Sequence, residues 1–132
     1  MSGHISKVFQ PKKVEKEWGY ELWLANNSRH DYCGKILHVN EGYRGSMHWH
    51  LKKHETFYIL KGEMQLDLLN TEKGTVYTEH LKEGDCYEIP VGQPHQIIAK
   101  GDLDIIESST YHMDSDSFRA WRGSPDVQRE DS

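Results

Sequence analysis

Three histidines and a glutamate lie close together between His48 and Glu55. His48 and His50 are one residue apart, and His54 directly precedes Glu55. Side chains two residues apart in a β-strand lie on the same face, so His48 and His50 converge while Trp49 faces away. Neutral imidazoles beside a carboxylate are suitable ligands for Zn, Mn, Fe, Co or Ni. This segment therefore predicts a site for one divalent transition metal ion.

Glu55 and His95 complete the predicted set of ligands. Glu55 follows a short turn and begins the next strand, so a hairpin would return its carboxylate to the two imidazoles. His95 follows the rigid loop "PVGQP" and begins another strand, which makes it the candidate ligand from a facing strand. Alternation places His54 on the opposite face and favours a solvated histidine there. The predicted metal ligands are His48, His50, Glu55 and His95.

The elements that must position these ligands are short strands separated by turn residues. Segments such as 33–39, 63–69 and 75–81 are rich in β-forming residues, and Gly, Pro, Asn or Asp lie between them. Met64, Leu66 and Leu68 alternate with polar residues, whereas no long segment has a helical apolar period. About nine evenly spaced strands predict an all-β sandwich or a closed jelly roll. We expect an N-terminal arm at 1–17, a β domain at 18–119 and a polar, fraying tail at 120–132.

Composition excludes several classes of protein. The chain has 132 residues and a formal charge of −5, which fits one domain without the basic stripe of a nucleic-acid binder. Cys33 and Cys86 form no CxxC pair, as expected for free thiols in a reducing compartment. The sequence contains neither a secretory signal nor an apolar segment of membrane-spanning length. We therefore expect a cytoplasmic protein with no membrane partner.

Two spaced motifs resemble those of the cupin family. The first is G-x5-H-x-H-x3,4-E-x6-G, and the second is G-x5-P-x-G-x2-H-x3-N. Nine positions agree, and Ala99 replaces the closing Asn of the second motif. The resemblance implies a double-stranded β-helix, or jelly-roll barrel, that holds a metal ion through the four predicted ligands. We expect the motif glycines to adopt positive φ in turns. The matching residues are Gly42, His48, His50, Glu55, Gly62, Gly84, Pro90, Gly92 and His95.

The segments that flank the motifs resemble a subgroup of cupins. The stretch "EKEWGYELWL" is similar to the region that precedes the barrel in type II mannose-6-phosphate isomerases and related sugar-biosynthesis cupins. The stretch "IIESSTYHMDSDSFR" is loosely similar to their last strand and tail. This resemblance runs from about residue 17 to 119. It implies a metal-dependent sugar or sugar-phosphate isomerase or epimerase that acts through a metal-stabilised enediol.

Such an isomerase needs a base and groups that bind its substrate. Glu107 is the candidate base, because on a strand it would share a polar face with Ser109 and Tyr111. A solvent-facing acid on an edge strand is the alternative interpretation of Glu107. An anionic substrate would need basic side chains to bind it. The alternative interpretation of each such basic residue is a solvated charge on the surface. The candidate substrate-binding residues are Arg44, Lys53, Ser109, Tyr111 and Arg119, with Lys52 as a further candidate cation.

Two other functions share the same ligand set. One is an Fe(II)-dependent cupin oxygenase, and the other is a non-catalytic cupin that binds a metal or a sugar. The motifs do not separate these functions, so the isomerase prediction depends on the flanking segments. The N-terminal region 5–24 has more apolar surface than a free arm would expose, which predicts a homodimer. Its apolar residues are Ile5, Val8, Phe9, Trp18, Tyr20 and Trp23.

Overall fold

Eleven β-strands form two antiparallel sheets in a computed structural model that describes residues 6–123. The all-β prediction is confirmed, and the two sheets form a jelly roll. One three-residue 3-10 helix, Asp114–Asp116, lies before the last strand. The strands are β1 Lys12–Lys16, β2 Gly19–Asn27, β3 Tyr32–Val39, β4 Met47–Trp49, β5 Glu55–Lys61, β6 Met64–Asn70, β7 Thr75–Leu81, β8 Cys86–Ile89, β9 His95–Ala99, β10 Leu103–Ser109 and β11 Phe118–Trp121.

The order of the strands brings distant parts of the chain together. The six-stranded sheet has the order β1-β2-β3-β10-β5-β8, and the five-stranded sheet has the order β11-β4-β9-β6-β7. Strand β10 pairs with both β3 and β5, although it lies more than forty residues from either in sequence. Strand β4 likewise pairs with β9 and β11. Segments far apart in the sequence are therefore neighbours in both sheets.

The hydrophobic core lies between the two sheets. Met64, Leu66 and Leu68 are buried, as their alternation in the sequence predicts. Phe57 and Ile59 from β5 belong to the same buried cluster. Polar and charged side chains are buried in the protein as well, among them Lys53, Glu55, His95 and Glu107. Burial of charge is costly unless the charged groups are paired or bind a metal, so these residues mark the candidate site.

The four glycines of the two motifs adopt positive φ, as expected. Their φ angles are 85° at Gly42, 91° at Gly62, 91° at Gly84 and 85° at Gly92. A Cβ atom at Gly62 would also lie 2.3 Å from the carbonyl oxygen of Asp102, so a larger residue there would displace the backbone. These positions thus require glycine for the path of the chain, since L-residues rarely adopt this conformation.

Several boundaries differ from the sequence-based expectation. Residues 12–16 of the predicted arm form β1, which pairs with β2 at the edge of the six-stranded sheet. Residues 120–121 of the predicted tail belong to β11, whereas 1–5 and 124–132 lie outside the described residues. Strand β10 ends at Ser109, so the prediction that Tyr111 continues its face is wrong. Within residues 6–123, no helix has the length and apolarity needed to cross a membrane.

Candidate metal centre

The four predicted ligands meet between the two sheets. His48 lies on β4 and His95 begins β9, and their Cα atoms are register partners in the five-stranded sheet. His50 directly follows β4, whereas Glu55 begins β5 in the six-stranded sheet. The expected hairpin between β4 and β5 is therefore wrong, because the turn at 51–54 carries the chain from one sheet to the other. Glu55 faces the three histidines from the six-stranded sheet. His95 lies on β9, which is the neighbour of β4 in the five-stranded sheet.

The three histidines lie close enough to share one ion. One ring nitrogen of His48, of His50 and of His95 can be chosen such that all three lie within 4.8 Å of one another. Glu55 Oε2 lies 3.2 Å from His95 Nε2 and 3.5 Å from His50 Nε2. His50, Glu55 and His95 are buried, and His48 is partly buried. Three imidazoles and one carboxylate are a donor set suited to a divalent transition metal.

Hydrogen bonds to the backbone fix the protonation of all three rings. Each histidine places its Nδ1 within hydrogen-bond distance of a carbonyl oxygen, which can only accept. Nδ1 must therefore carry the proton, and in the neutral ring Nε2 keeps a free lone pair. Such a second hydrogen bond is typical of metal-binding histidines. The pairs are His48 with Ser46 at 3.0 Å, His50 with Asp116 at 2.7 Å and His95 with Gln93 at 2.9 Å.

The electrostatics of the cluster favour a bound cation. Burial and the neighbouring His95 lower the pKa of His48 to about 3, so its ring is neutral at neutral pH. Burial alone would raise the pKa of Glu55, but contact with His95 and the charge of Lys53 hold it well below its usual range. Glu55 Oε2 and His95 Nε2 are both buried without a hydrogen-bond partner. Buried polar atoms are rarely left unsatisfied, so these residues fit a metal ion that would occupy the space between them.

Asp116 supports the cluster from behind. Its carboxylate accepts hydrogen bonds from the backbone N–H groups of Leu51, Lys52 and Lys53, at 2.9 to 3.2 Å. Burial alone would raise the pKa of Asp116, but these three N–H groups lower it overall. Its carbonyl oxygen accepts from Nδ1 of His50. Asp116 thereby fixes both the turn that leads to Glu55 and the orientation of one histidine.

Replacement of Asp116 by asparagine should weaken metal binding about tenfold, as expected for loss of an outer partner of a metal ligand. The amide has one acceptor oxygen instead of two, so the turn at 51–53 loses part of its support. Asp85→Asn is the matched control, because Asp85 accepts from the backbone N–H of Lys82 in a turn that does not contribute a ligand. Competition with a metallochromic chelator measures the affinity. Equal affinities for the two variants would contradict the positioning role.

A cavity of about 310 Å³ extends from the histidine cluster along the interior of the six-stranded sheet. Glu107 lines this cavity and is buried, rather than facing solvent. Its Oε2 accepts hydrogen bonds from Lys53 Nζ at 2.9 Å and from Ser109 Oγ at 3.0 Å. Lys53 Nζ also lies 3.5 Å from Glu55 Oε1. Lys53 thus links the carboxylate of the metal cluster to a second carboxylate in the same cavity.

The charge of Lys53 is balanced inside the protein. Burial alone would lower its pKa, but the carboxylates of Glu107 and Glu55 raise it above the usual value. Its ammonium also lies 3.1 Å from Nδ1 of His112. Burial and the charge of Lys53 lower the pKa of His112. Lys53 therefore contacts two carboxylates and a histidine inside the protein. The sequence had instead suggested that its charge would be directed at an anionic substrate.

The remaining candidates occupy different places around the cavity. Arg119 lines the cavity from β11, where it is the register partner of His48. Arg44 lies in a second, neighbouring cavity that Arg119 also lines. Ser109 contacts Glu107, as described, whereas Tyr111 lines neither cavity and its N–H donates to Asp31. His54 is exposed and pairs with Glu88 at 2.6 Å, as its position in the alternation predicts.

Sequence reasoning did not find several residues of the cavity. His112 lies in the irregular segment after β10, where no spacing pattern marks it. Lys35 is buried on β3, lies 3.6 Å from Glu21 Oε1 and covers the ring of Trp23. The signal for Lys35 was present in the sequence, because it lies among alternating buried residues of "CGKILHV". A charged residue at a core position indicates either an internal ion pair or a ligand site.

The family model of the cupin domain, Cupin_2, matches residues 35–107, which is more than half of the chain and includes all four candidate ligands. No curated protein matches the sequence closely enough to add a relative. The matched segment runs from β3 to β10 and therefore includes the core of both sheets. The histidine cluster and Glu55 thus lie within the part of the chain that matches the family model.

Solved structures share the fold at low sequence identity. Oxalate decarboxylase from Bacillus subtilis at pH 4.6 has a TM-score of 0.73 and 21% identity over 89% of this chain and 33% of its own. The capsular polysaccharide assembling protein CapF from Staphylococcus aureus has a TM-score of 0.73 and 17% identity, over 85% of this chain and 34% of its own. Another structure of the decarboxylase concerns its Mn(II) centres. The chain spans about a third of these proteins, and identities this low show the fold alone.

Proposed function

The chain belongs to the cupin domain family, and we propose that it is a metal-dependent enzyme that isomerises or epimerises a sugar or sugar phosphate. The observation that supports this most strongly is a pair of buried carboxylates with different surroundings in one cavity. Glu55 faces three histidines whose Nε2 atoms are free to bind an ion. Glu107 lies beyond Lys53, outside the histidine cluster, and lines the same space. In this proposal Glu55 holds the metal, and Glu107 moves a proton.

His48, His50, His95 and Glu55 would hold one divalent ion. When bound, that ion would polarise the carbonyl and hydroxyl oxygens of a sugar. The ammonium of Lys53 lies between Glu55 and Glu107 and offers a positive charge beside the reacting oxygens. Lys53, Glu55 and Glu107 are buried, and charged groups interact more strongly where they are shielded from bulk water.

Glu107 is the proposed base. Its carboxylate has two fixed donors, Lys53 and Ser109, that hold it in one orientation in the cavity. A base of this kind would take a proton from carbon and return it to the neighbouring carbon, which is the step an aldose–ketose isomerase requires. A carboxylate bound to a metal is a poor base, which favours Glu107 over Glu55 for this role. His112 contacts Lys53 and could exchange protons with the same network.

Two similarities support a carbohydrate substrate. The flanking segments resemble those of sugar-phosphate isomerases, and CapF, which shares the fold, is a capsular polysaccharide assembling protein. Oxalate decarboxylase shares the fold equally well and has Mn(II) centres. We therefore include manganese among the ions to be tested, together with Zn, Fe, Co and Ni. Two free cysteines, Cys33 and Cys86, are consistent with the proposed cytoplasmic location.

The test is deuterium exchange with a panel of sugars and sugar phosphates in deuterated water. Metal-free protein is loaded with each ion in turn, and incorporation at C1 or C2 is followed by NMR. Exchange that requires metal supports the proposal. Absence of exchange and turnover with every ion contradicts it, and oxygen consumption with Fe(II) would instead identify an oxygenase. Sugar binding without any exchange would identify a binding protein.

We also propose that the protein is a homodimer formed through its N-terminal segment. Trp18, Tyr20 and Trp23 are used within the chain, since Trp18 packs against the core, Tyr20 stacks on His38, and Trp23 contacts Lys35. Val8 and Phe9 precede β1 and have 97% and 71% of their surface exposed. A second copy would cover this apolar surface.

A truncated protein that begins at Lys12 should be monomeric or less soluble, because it lacks Val8 and Phe9 but keeps β1. The full-length chain should have the mass of a dimer at micromolar concentration. Multi-angle light scattering measures both masses, and circular dichroism establishes that the truncated protein keeps its strands. A monomeric full-length protein would contradict the proposal.

A further inference from the structure

Lys35 is a buried cation that lines the cavity beside the metal cluster and has no role in the chemistry proposed above. Its side chain lies on the inner face of β3, where only 3% of it is exposed. In the register of the six-stranded sheet, Lys35 lies between Trp23 of β2 and Glu107 of β10. A ligand within reach of Glu107 would therefore lie beside Lys35.

The hydrogen-bonding capacity of Lys35 is unused. An ammonium group has three N–H donors and no acceptor. Its ion-pair partner, Glu21 Oε1, lies 3.6 Å away and already accepts a hydrogen bond of 2.8 Å from Trp23 Nε1. The ring face of Trp23 lies 4.1 Å from Nζ, and among residues 6–123 the ammonium of Lys35 donates no hydrogen bond. A buried charge without hydrogen bonds is costly, so these donors indicate a ligand with acceptor oxygens.

The charges around the interior of the cavity favour a ligand with one negative charge. Lys35 and Lys53 contribute two ammonium groups. Three carboxylates lie against them, those of Glu21, Glu55 and Glu107. Together these groups carry one formal negative charge, and a divalent ion held by the histidines would change it to one positive charge. A monoanionic ligand would restore neutrality, which buried charges require in order not to be destabilising.

We propose that Lys35 binds the carboxylate of a sugar acid whose other end reaches the metal cluster. Strand β3 lies two places from β5 in the sheet, so about 10 Å separate the backbone at Lys35 from the backbone at Glu55. In a uronic acid the carbonyl carbon and the carboxylate are at opposite ends of the carbon chain, which suits two binding groups held apart in this way. A carboxylate also supplies the single negative charge and two acceptor oxygens. The inference rests on the proposed function, since it names a uronic acid as the substrate of the same cavity.

Calorimetric titration of the full-length protein, with the metal that it retains on purification, tests this substrate class. The probes are D-glucuronate, D-galacturonate and D-mannuronate, and the neutral counterparts are glucose, galactose and mannose. We expect at least one uronate to bind about 10–100-fold more tightly than its neutral counterpart, the usual range for hydrogen bonds to a charged group. Lys35→Met should bind that uronate and its counterpart equally, because methionine keeps the apolar stem but has no donor.

Lys13→Met is the matched control. Lys13 also pairs with a glutamate, Glu15 at 3.3 Å, and covers an aromatic ring, that of Tyr20 at 4.4 Å. It is exposed, however, and does not line the cavity, so its replacement should leave the preference for the uronate unchanged. Lys35→Gln should lose the preference as Lys35→Met does, which keeps the assignment independent of one variant. Circular dichroism establishes that each variant is folded.

Three results would overturn the inference. They are absence of uronate binding, equal binding of uronate and neutral sugar by the unmodified protein, and an undiminished preference in the folded Lys35 variants. The readout needs no turnover, so it separates the two proposals. A uronate that binds through Lys35 without any deuterium exchange would leave this inference standing and remove the isomerase. Exchange with neutral sugars and no preference for a uronate would do the reverse.

Discussion

The His95→Ala protein is expected to lose most of its metal, with affinity reduced about a hundredfold or more. Loss of an outer partner alone typically reduces metal affinity 10–100-fold, and His95 is itself a candidate ligand. Its ring is fully buried, and its Nε2 lies 3.2 Å from Glu55 Oε2 without a hydrogen-bond partner. Removal of the imidazole would leave the ion with one fewer donor and Glu55 without its neighbour. Elemental analysis after dialysis measures the occupancy.

Two further variants make this result specific. His50→Ala should lose metal to a similar degree, because His50 Nε2 lies 3.5 Å from the same carboxylate oxygen. His80→Ala is the matched control, since His80 is exposed on β7 outside the cluster. It should retain about one ion per chain, as the unmodified protein should. Full metal content in both His50→Ala and His95→Ala would show that the ion binds elsewhere.

The ligands could be predicted from the sequence because their signal is local. His48 and His50 lie two residues apart on a strand, which fixes their common face whatever the rest of the fold does. The positions of Glu55 and His95 were also predicted, but the way they meet was not. Glu55 crosses to the other sheet, and His95 lies beside β4. Strand pairing depends on contacts between distant segments, which local spacing does not encode.

The supporting residues were missed for the same reason. Asp116 lies more than sixty residues from the turn that it holds and from His50, and its segment has no strand pattern. Lys53 was a candidate for binding an anionic substrate, with solvated surface charge as the alternative, yet it is buried against Glu107, which comes from β10. Strands β1 and β11 escaped prediction because their residues are largely exposed and show little apolar alternation. Their pairing partners, rather than their own sequences, define them.

Arg119 and Lys53 show how the structure separates two cations that the sequence treats alike. The resemblance placed it among candidate anion-binding residues, and it lines both cavities beside the histidine strand. Lys53 was predicted for the same role, but its charge is balanced by Glu55 and Glu107. The structure thus assigns two different environments to cations that the sequence treats alike. Lys53 stabilises carboxylates inside the protein, whereas Arg119 is exposed on β11.

Replacement of Glu107 by glutamine should slow metal-dependent deuterium exchange about 10²–10⁴-fold, the usual contribution of a general base. The amide oxygen can still accept hydrogen bonds from Lys53 and Ser109, so the geometry is retained while the basic group is lost. Metal content should stay near that of the unmodified protein, because Glu107 lies outside the histidine cluster. Glu79→Gln, an exposed acid on β7, is the matched control and should exchange at the normal rate. Glu107→Asp should recover part of the activity. Unchanged exchange in a folded, metal-loaded Glu107→Gln protein would assign the base to another residue.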